Sequence, residues 1–150
     1  MRLVRAPENM NRIVEEKGRV PGELNTVDFA DGYPFLLATE ASLKKINEWA
    51  GCGDNTFTMR RFRPNIVISG AEPFAEDRWR KIEIGGHIFH LQKRCKRCKM
   101  TTVIPDEGIF GGTEPLATVK AKNNGTFGMN MIHSKKSIGT GAFPQLANFH

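Results

Sequence analysis

Apolar positions recur along this chain mostly in short runs separated by Gly- and Pro-containing steps. Phe35 to Ala38 follows Asp31-Gly32-Tyr33-Pro34, whose Asp-Gly and Tyr-Pro steps impose a turn, and predicts a short buried strand. Thr39 is a good helix N-cap, and Glu40 would face the positive end of the helix dipole. Leu43, Ile46, Asn47 and Trp49-Ala50 continue at helical spacing until Gly51 and Gly53. Ile66 to Ile68 has the β-branched composition of a strand started by Pro64. Trp79 to Ile84 and His87 to Leu91 flank Gly85-Gly86, a strong hairpin signal because both turn positions need φ > 0. Met100 to Ile104 reads as another strand, closed by Pro105-Asp106-Glu107-Gly108. Pro115 to Val119 fits either a strand or a helix start, and Phe127 to Met131 reads as a last strand. At the ends, Met1 to Arg5 reads as a short strand, Asn9 to Leu24 as a loop and Ser134 to His150 as a ragged tail. The pattern favours a β-rich domain with one clear helix.

The 150 residues are one domain's worth of chain, long enough to bury a real core. No stretch approaches the length of an apolar membrane span, and the first twenty residues have no apolar core of a secretory signal. Three cysteines do not make a disulfide framework, so the expected setting is intracellular, with cytoplasm and mitochondrion both open. The net charge of +6 is spread along the chain, and its ten Phe, two Trp and one Tyr form no base-stacking motif. That argues against nucleic acid and suits a smaller anion, such as a phosphate-bearing cofactor.

The densest positive run is Lys93-Arg94-Cys95-Lys96-Arg97-Cys98-Lys99. Its Cys-x-x-Cys spacing admits four readings. Structural zinc would need Cys52 and a histidine to complete the set. A redox pair wants a helix after it, where β-branched residues stand. Two unrelated buried thiols would also fit. The fourth reading is a single thiolate for a soft metal, favoured by the cations around it. Arg63 and Asn65 flank rigid Pro64 and offer a planar cationic fork and an amide to an anion, or else a strand-edge ion pair. Gly32 and Tyr33 lie in a turn that backbone geometry alone would explain. His87 and His90 fall on opposite sides of a strand and cannot easily share a metal. Glu76-Asp77 reads as a solvated turn, and Gly111-Gly112 lacks phosphate-loop spacing.

Three segments occur in a recognisable order. They are Phe29 to Leu37 with Glu40-Ala41-Ser42-Leu43; Arg61-Phe62-Arg63-Pro64-Asn65 to Gly70 with Ala75-Glu76-Asp77-Arg78-Trp79; and Cys95-Lys96-Arg97-Cys98-Lys99-Met100-Thr101-Thr102-Val103 with Pro105-Asp106, Gly108 and Pro115-Leu116. Together they resemble the MOSC domain, the molybdenum-cofactor domain found at the C-terminus of molybdenum cofactor sulfurases. Thr-Thr-Val after the second Cys is most similar to the branch containing the mitochondrial amidoxime-reducing component. The resemblance implies a β-rich mixed α+β fold, a MOSC-type β-barrel with a few short helices, over residues 1–133, followed by the tail 134–150. It implies molybdenum-cofactor (molybdopterin) binding, with Cys98 as the catalytic metal ligand and Gly32, Tyr33, Arg63, Asn65, Lys96 and Arg97 as cofactor contacts. Members of this branch reduce small N-hydroxylated compounds and take electrons from a redox protein, either a b-type cytochrome or a flavin or iron–sulfur reductase.

The alternative is a non-catalytic cofactor-binding or sulfur-carrier module. A full sulfurase would also need a pyridoxal-phosphate-binding lysine in an aminotransferase-like domain, which nothing in this chain provides. Three departures from the family pattern bear on activity. Ile104 stands where Asp is usual after Thr-Thr-Val, the companion N-terminal β-barrel domain is missing, and the C-terminal family strand is not recognisable after Met131. The chain therefore reads as a fragment or shortened paralogue whose own activity is in question.

Overall fold

The computed structural model describes residues 12–14, 25–27, 32–51 and 56–134. Five strands, β1 (Phe35–Thr39), β2 (Ile66–Ile68), β3 (Lys81–Ile84), β4 (His87–Lys96) and β5 (Thr126–His133), form one mixed sheet in the order β2-β1-β5-β4-β3. The sheet curls into a half-barrel, and two helices, α1 (Glu40–Trp49) and α2 (Leu116–Asn123), complete the β-rich α+β fold. β1 and β2 are parallel, Leu37 facing Ile66, because α1 carries the chain back between them. The remaining pairs are antiparallel. Gly85 and Gly86, at φ +57° and +80°, make the hairpin turn between β3 and β4.

Thr39 caps α1 as its sequence suggests, its side chain accepting from the Ser42 N–H at 3.2 Å. Asn47, buried on the same helix, exchanges two hydrogen bonds with the main chain of Phe57 (3.0 and 2.9 Å), and so folds the segment after α1 back over the sheet.

β5 lies at the centre of the sheet, and both faces are covered. Consecutive residues Leu37 and Ala38 point to opposite sides. Leu37 joins Phe89, Leu91, Met129 and Met131, while Ala38 joins Ile46, Phe57, Phe62, Val119 and Phe127 under the helices. Burying each of these larger side chains is worth about 1.5–3 kcal/mol. Phe127 and Met129 fall in different clusters despite their even spacing, because Gly128 at φ +77° interrupts the alternation between them. A Cβ at Gly128 would lie 2.6 Å from the Leu37 carbonyl oxygen, so only glycine lets β5 approach β1 this closely. A third cluster, Val14, Val27 and Ile132 with Tyr33 against it, is joined by the Ile13–Thr26 bridge.

Two expectations are corrected or resolved. Met100 to Ile104 is not a strand: Lys99–Thr102 is a 3-10 turn, followed by a lone bridge between Val103 and Phe110. The hydroxyls of Thr101 and Thr102 donate back to the carbonyls of Cys98 and Lys99 (3.0 and 2.9 Å), a local bonding that competes with strand pairing. The Pro115 region resolves as the start of α2, where the Glu114 carboxylate accepts from the Thr118 N–H at 3.1 Å. The expected strand at 1–5, most of the loop at 9–24 and the tail beyond Ser134 lie outside the described residues. Among the described residues no helix is long and apolar enough to cross a membrane.

Candidate functional site

β4 runs past Leu91 to Lys96, with register shifts against β5 after Leu91 and after Arg94. It delivers half-buried Cys95 at its end and exposed Cys98 three residues on, where extended backbone (φ −120°, ψ −177°) leads into the 3-10 turn. Residues at i and i+2 of an extended run share a side, and i+3 points away. Cys95 and Arg97 accordingly meet, Arg97 Nη1 donating to Cys95 Sγ at 3.1 Å. Both cysteines are free thiols. A redox pair wants its first cysteine at a helix N-terminus, whereas Cys95 lies in β4 and only a 3-10 turn follows Cys98. Cys52, which the structural-zinc reading needs, lies outside the described residues, and among the described residues no three His, Cys, Asp or Glu side chains gather around a common point. His87 is buried and His90 half-buried, facing opposite sides of β4.

The segment Phe57 to Phe62 crosses the helix-covered face of the sheet. Phe62, wholly buried, packs on Phe127 with ring centroids 4.1 Å apart. Three arginines then tie this segment to the cysteine turn. Arg97 Nη2 donates to the Phe62 carbonyl at 2.6 Å, with the guanidinium 5.6 Å above the Phe62 ring. Arg61 Nη1 donates to the Val103 carbonyl at 3.2 Å, and Arg60 pairs with Asp106 at 2.7 Å on the surface. Arg63 differs: its side chain is exposed, with no hydrogen bond or ion pair among the described residues, and its backbone sits at φ +56° immediately before Pro64. That left-handed conformation costs about 1–2 kcal/mol for a residue with a Cβ.

Arg63 lies on an open groove of about 460 Å³ lined by Met59, Arg60, Arg63, Pro64, Val67 and Pro105. A second open groove of about 440 Å³ is lined by Lys96, Arg97, Lys120, Asn124 and Gly125. Both volumes fall in the range of small-molecule sites. Arg63 thus lines one groove and Lys96 and Arg97 the other, Cys98 lines neither, and the Arg97–Phe62 hydrogen bond joins the two segments. Gly32 and Tyr33 lie just before β1, where Tyr33 packs in the third cluster with Lys93 Nζ 5.1 Å from its ring centre. Asn65 is turned to β1: its Oδ1 accepts from the Leu36 N–H and its own N–H donates to the Leu36 carbonyl, both at 2.8 Å. That clamp starts the β1–β2 ladder and leaves the Nδ2 donors of Asn65 for anything else.

Glu76 and Asp77 are not a solvated turn. Glu76 is fully buried, its two carboxylate oxygens accepting from Ser42 Oγ at 2.8 Å and Thr39 Oγ1 at 3.1 Å. Asp77, its side chain 8% exposed, takes Arg94 Nε at 3.0 Å. Burial holds the Asp77 carboxyl above the usual aspartate range; Arg94 acts against that shift and neighbouring Glu76 adds to it. The hydroxyls of Thr39 and Ser42 at the start of α1 were a local hint of a buried acceptor, but nothing in the sequence says that Glu76 reaches them.

A family model described as "MOSC domain" matches residues 25–142. The chain is similar to mitochondrial amidoxime-reducing component 1 of Mus musculus, 42% identical over 95 residues covering 63% of this chain and 27% of the relative. It is similar to mitochondrial amidoxime reducing component 2 of Homo sapiens, 36% identical over 127 residues, 80% of this chain and 35% of the relative. Molybdenum cofactor sulfurase of Solanum lycopersicum is 33% identical over 144 residues, 85% of this chain and 18% of the relative. The chain therefore spans about a third or less of the length of these curated relatives.

Proposed function

This chain belongs to the MOSC domain family, and from that premise we propose that it binds the molybdenum cofactor in a protein that reduces N-hydroxylated compounds, with Cys98 as the protein's ligand to the metal. The single observation that carries the reading is the exposed free thiol of Cys98, held at the start of a pinned turn. The chemistry of the donor set fits the group. A thiolate is a soft ligand, and unpartnered Arg63 with exposed Lys96 offers positive charge to an anionic pterin. The cofactor, when bound, supplies two-electron redox chemistry at its metal. This chain's residues bind and orient: Cys98 anchors the metal end, Arg63 holds an anionic group over the groove it lines, and Asn65 presents its remaining amide donors. Gly32 and Tyr33, just before β1, offer further contacts to the pterin. The electron donor is a separate redox protein, and the setting is intracellular; the names of the similar animal proteins place those proteins in mitochondria.

The test is metal analysis of the purified chain together with pterin fluorescence after oxidation. Parent protein is expected to retain molybdenum and pterin, Cys95→Ser to retain both, and Cys98→Ser to lose the metal, since a serine hydroxyl does not replace a thiolate. Equal metal in all three would refute Cys98 as ligand.

A second reading is favoured by the longer match to the sulfurase, which covers 85% of this chain. Here the domain holds the cofactor without reducing anything. Turnover of an amidoxime by the loaded chain with a chemical electron donor separates the two.

A further inference from the structure

Arg97 stands beside the cysteine turn, yet its guanidinium is already engaged. Nη2 donates to the Phe62 carbonyl at 2.6 Å and Nη1 to Cys95 Sγ at 3.1 Å. Its plane lies over the Phe62 ring, and its Nε is buried with no hydrogen-bond partner. An orphaned buried donor is unfavourable, so the rest of the contact must be worth more than that loss. The main-chain N–H of Arg97 is fixed as well, donating to the Gly125 carbonyl at 2.8 Å. Six residues later, Val103 is tied to the same partner segment by Arg61. The turn that presents Cys98 is therefore pinned at both ends to residues 61–62. Arg63 is the residue immediately after that anchor, as Cys98 is the residue immediately after Arg97.

We propose that Arg97 is a positioning residue, with the Phe62 carbonyl and Cys95 Sγ as its two anchors, and that it fixes Cys98 relative to Arg63 rather than touching the cofactor itself. This rests on the reading of Cys98 as metal ligand. It also gives the first cysteine of Cys-x-Arg-Cys a role: its sulfur is the acceptor that orients the fork. Only a planar guanidinium reaches two anchors at once; a lysine ammonium keeps the charge but not the two-pronged geometry. Charge and geometry are therefore separable by substitution.

The experiment uses the full chain with Arg97→Lys, Arg97→Gln, Cys95→Ala and Cys95→Ser. Hydrogen exchange of the cofactor-free proteins, read on peptides covering 61–65 and 98–103, is compared with peptides of β1 and β5. Retention of molybdenum and pterin is measured after loading. Arg97→Lys and Arg97→Gln are expected to speed exchange in both loops about tenfold with β1 and β5 unchanged, and to lower cofactor retention about tenfold. Cys95→Ala should do the same more weakly, and Cys95→Ser, whose oxygen still accepts, should resemble the parent. Arg97→Lys matching the parent in exchange and retention overturns the proposal in favour of a simple charge. Faster exchange with unchanged retention overturns it in favour of a purely structural tie. If parent and Cys98→Ser alike hold no cofactor, the metal-ligand reading fails, and the positioning role fails with it, while the exchange data still report whether the tie exists. Should Arg97→Gln not fold, Arg97→Lys and Cys95→Ala decide the matter.

Discussion

Ser42 Oγ donates to Glu76 Oε1 at 2.8 Å across 34 residues of sequence, joining the first turn of α1 to the segment before β3. Ser42 Oγ accepts at the same time from the Phe74 N–H at 2.7 Å, and Thr39 completes the cluster. All of it is closed to solvent except Phe74, which is partly covered. Glu76→Ala leaves two buried hydroxyls without their acceptor, at about 1–3 kcal/mol for each unsatisfied group. The variant is expected to unfold at lower denaturant than the parent with an unchanged slope. A midpoint equal to the parent's would show that the cluster contributes nothing.

Asp77 and Arg94 give stability a pH dependence of definite sign. The folded carboxyl titrates above its ordinary value, so over the interval between the two values the unfolded chain has released a proton that the folded chain keeps. Stability from this group therefore falls as pH rises through that interval. Arg94→Gln removes the charge that favours the ionised form and widens the interval. Its melting temperature should fall below the parent's at neutral pH and approach it in acid, where Asp77 is neutral in both states. Because Arg94 is half exposed, the neutral-pH loss should be near the low end of the ~1–3 kcal/mol for an uncompensated buried group. A difference that is equal at both pH values would contradict the assignment.

Arg63 should show stability and binding moving in opposite directions. Arg63→Gly relieves the left-handed strain and is expected to stabilise the fold by about 0.5–1 kcal/mol, after the entropy that glycine adds to the unfolded chain. The same variant should bind the cofactor about ten- to a hundred-fold more weakly, as befits a lost charge-assisted bond of about 1.5–3 kcal/mol. Calorimetric melting and cofactor retention measured on one preparation check both. A destabilised variant with normal retention would make Arg63 a structural residue.

Gly128→Ala should be among the most damaging single-methyl changes in the sheet. The new Cβ would meet the Leu37 carbonyl oxygen at 2.6 Å, at a backbone φ of +77°. The expected loss exceeds about 2 kcal/mol, with chemical denaturation as the readout. Gly86→Ala, where a Cβ meets nothing within 4 Å, is the control for φ strain alone.

Much of this protein is written locally. The Thr39 cap with the spacing of α1, the Gly85-Gly86 hairpin and the β-branched run of β2 all depend on neighbours in sequence, and each forms where its residues predict. Family membership was legible for the same reason, since Arg-Phe-Arg-Pro-Asn and Cys-x-Arg-Cys are short contiguous strings. The rest depended on contacts between distant segments. Met100 to Ile104 has strand composition, but its two threonine hydroxyls find carbonyls in their own turn, and among the described residues only a lone bridge from Val103 to Phe110 forms beside it. Glu76 and Asp77 look solvated in isolation and are buried because Thr39, Ser42 and Arg94 arrive from elsewhere in the fold. The charges around the cysteines show the same division. Composition marks Arg60, Arg61, Arg63 and Arg97 as equally able to meet an anion. Only the tertiary structure separates the three already bound to a carbonyl or carboxylate from Arg63, whose side chain meets no acceptor among the described residues, because a guanidinium's role is set by the acceptor within reach.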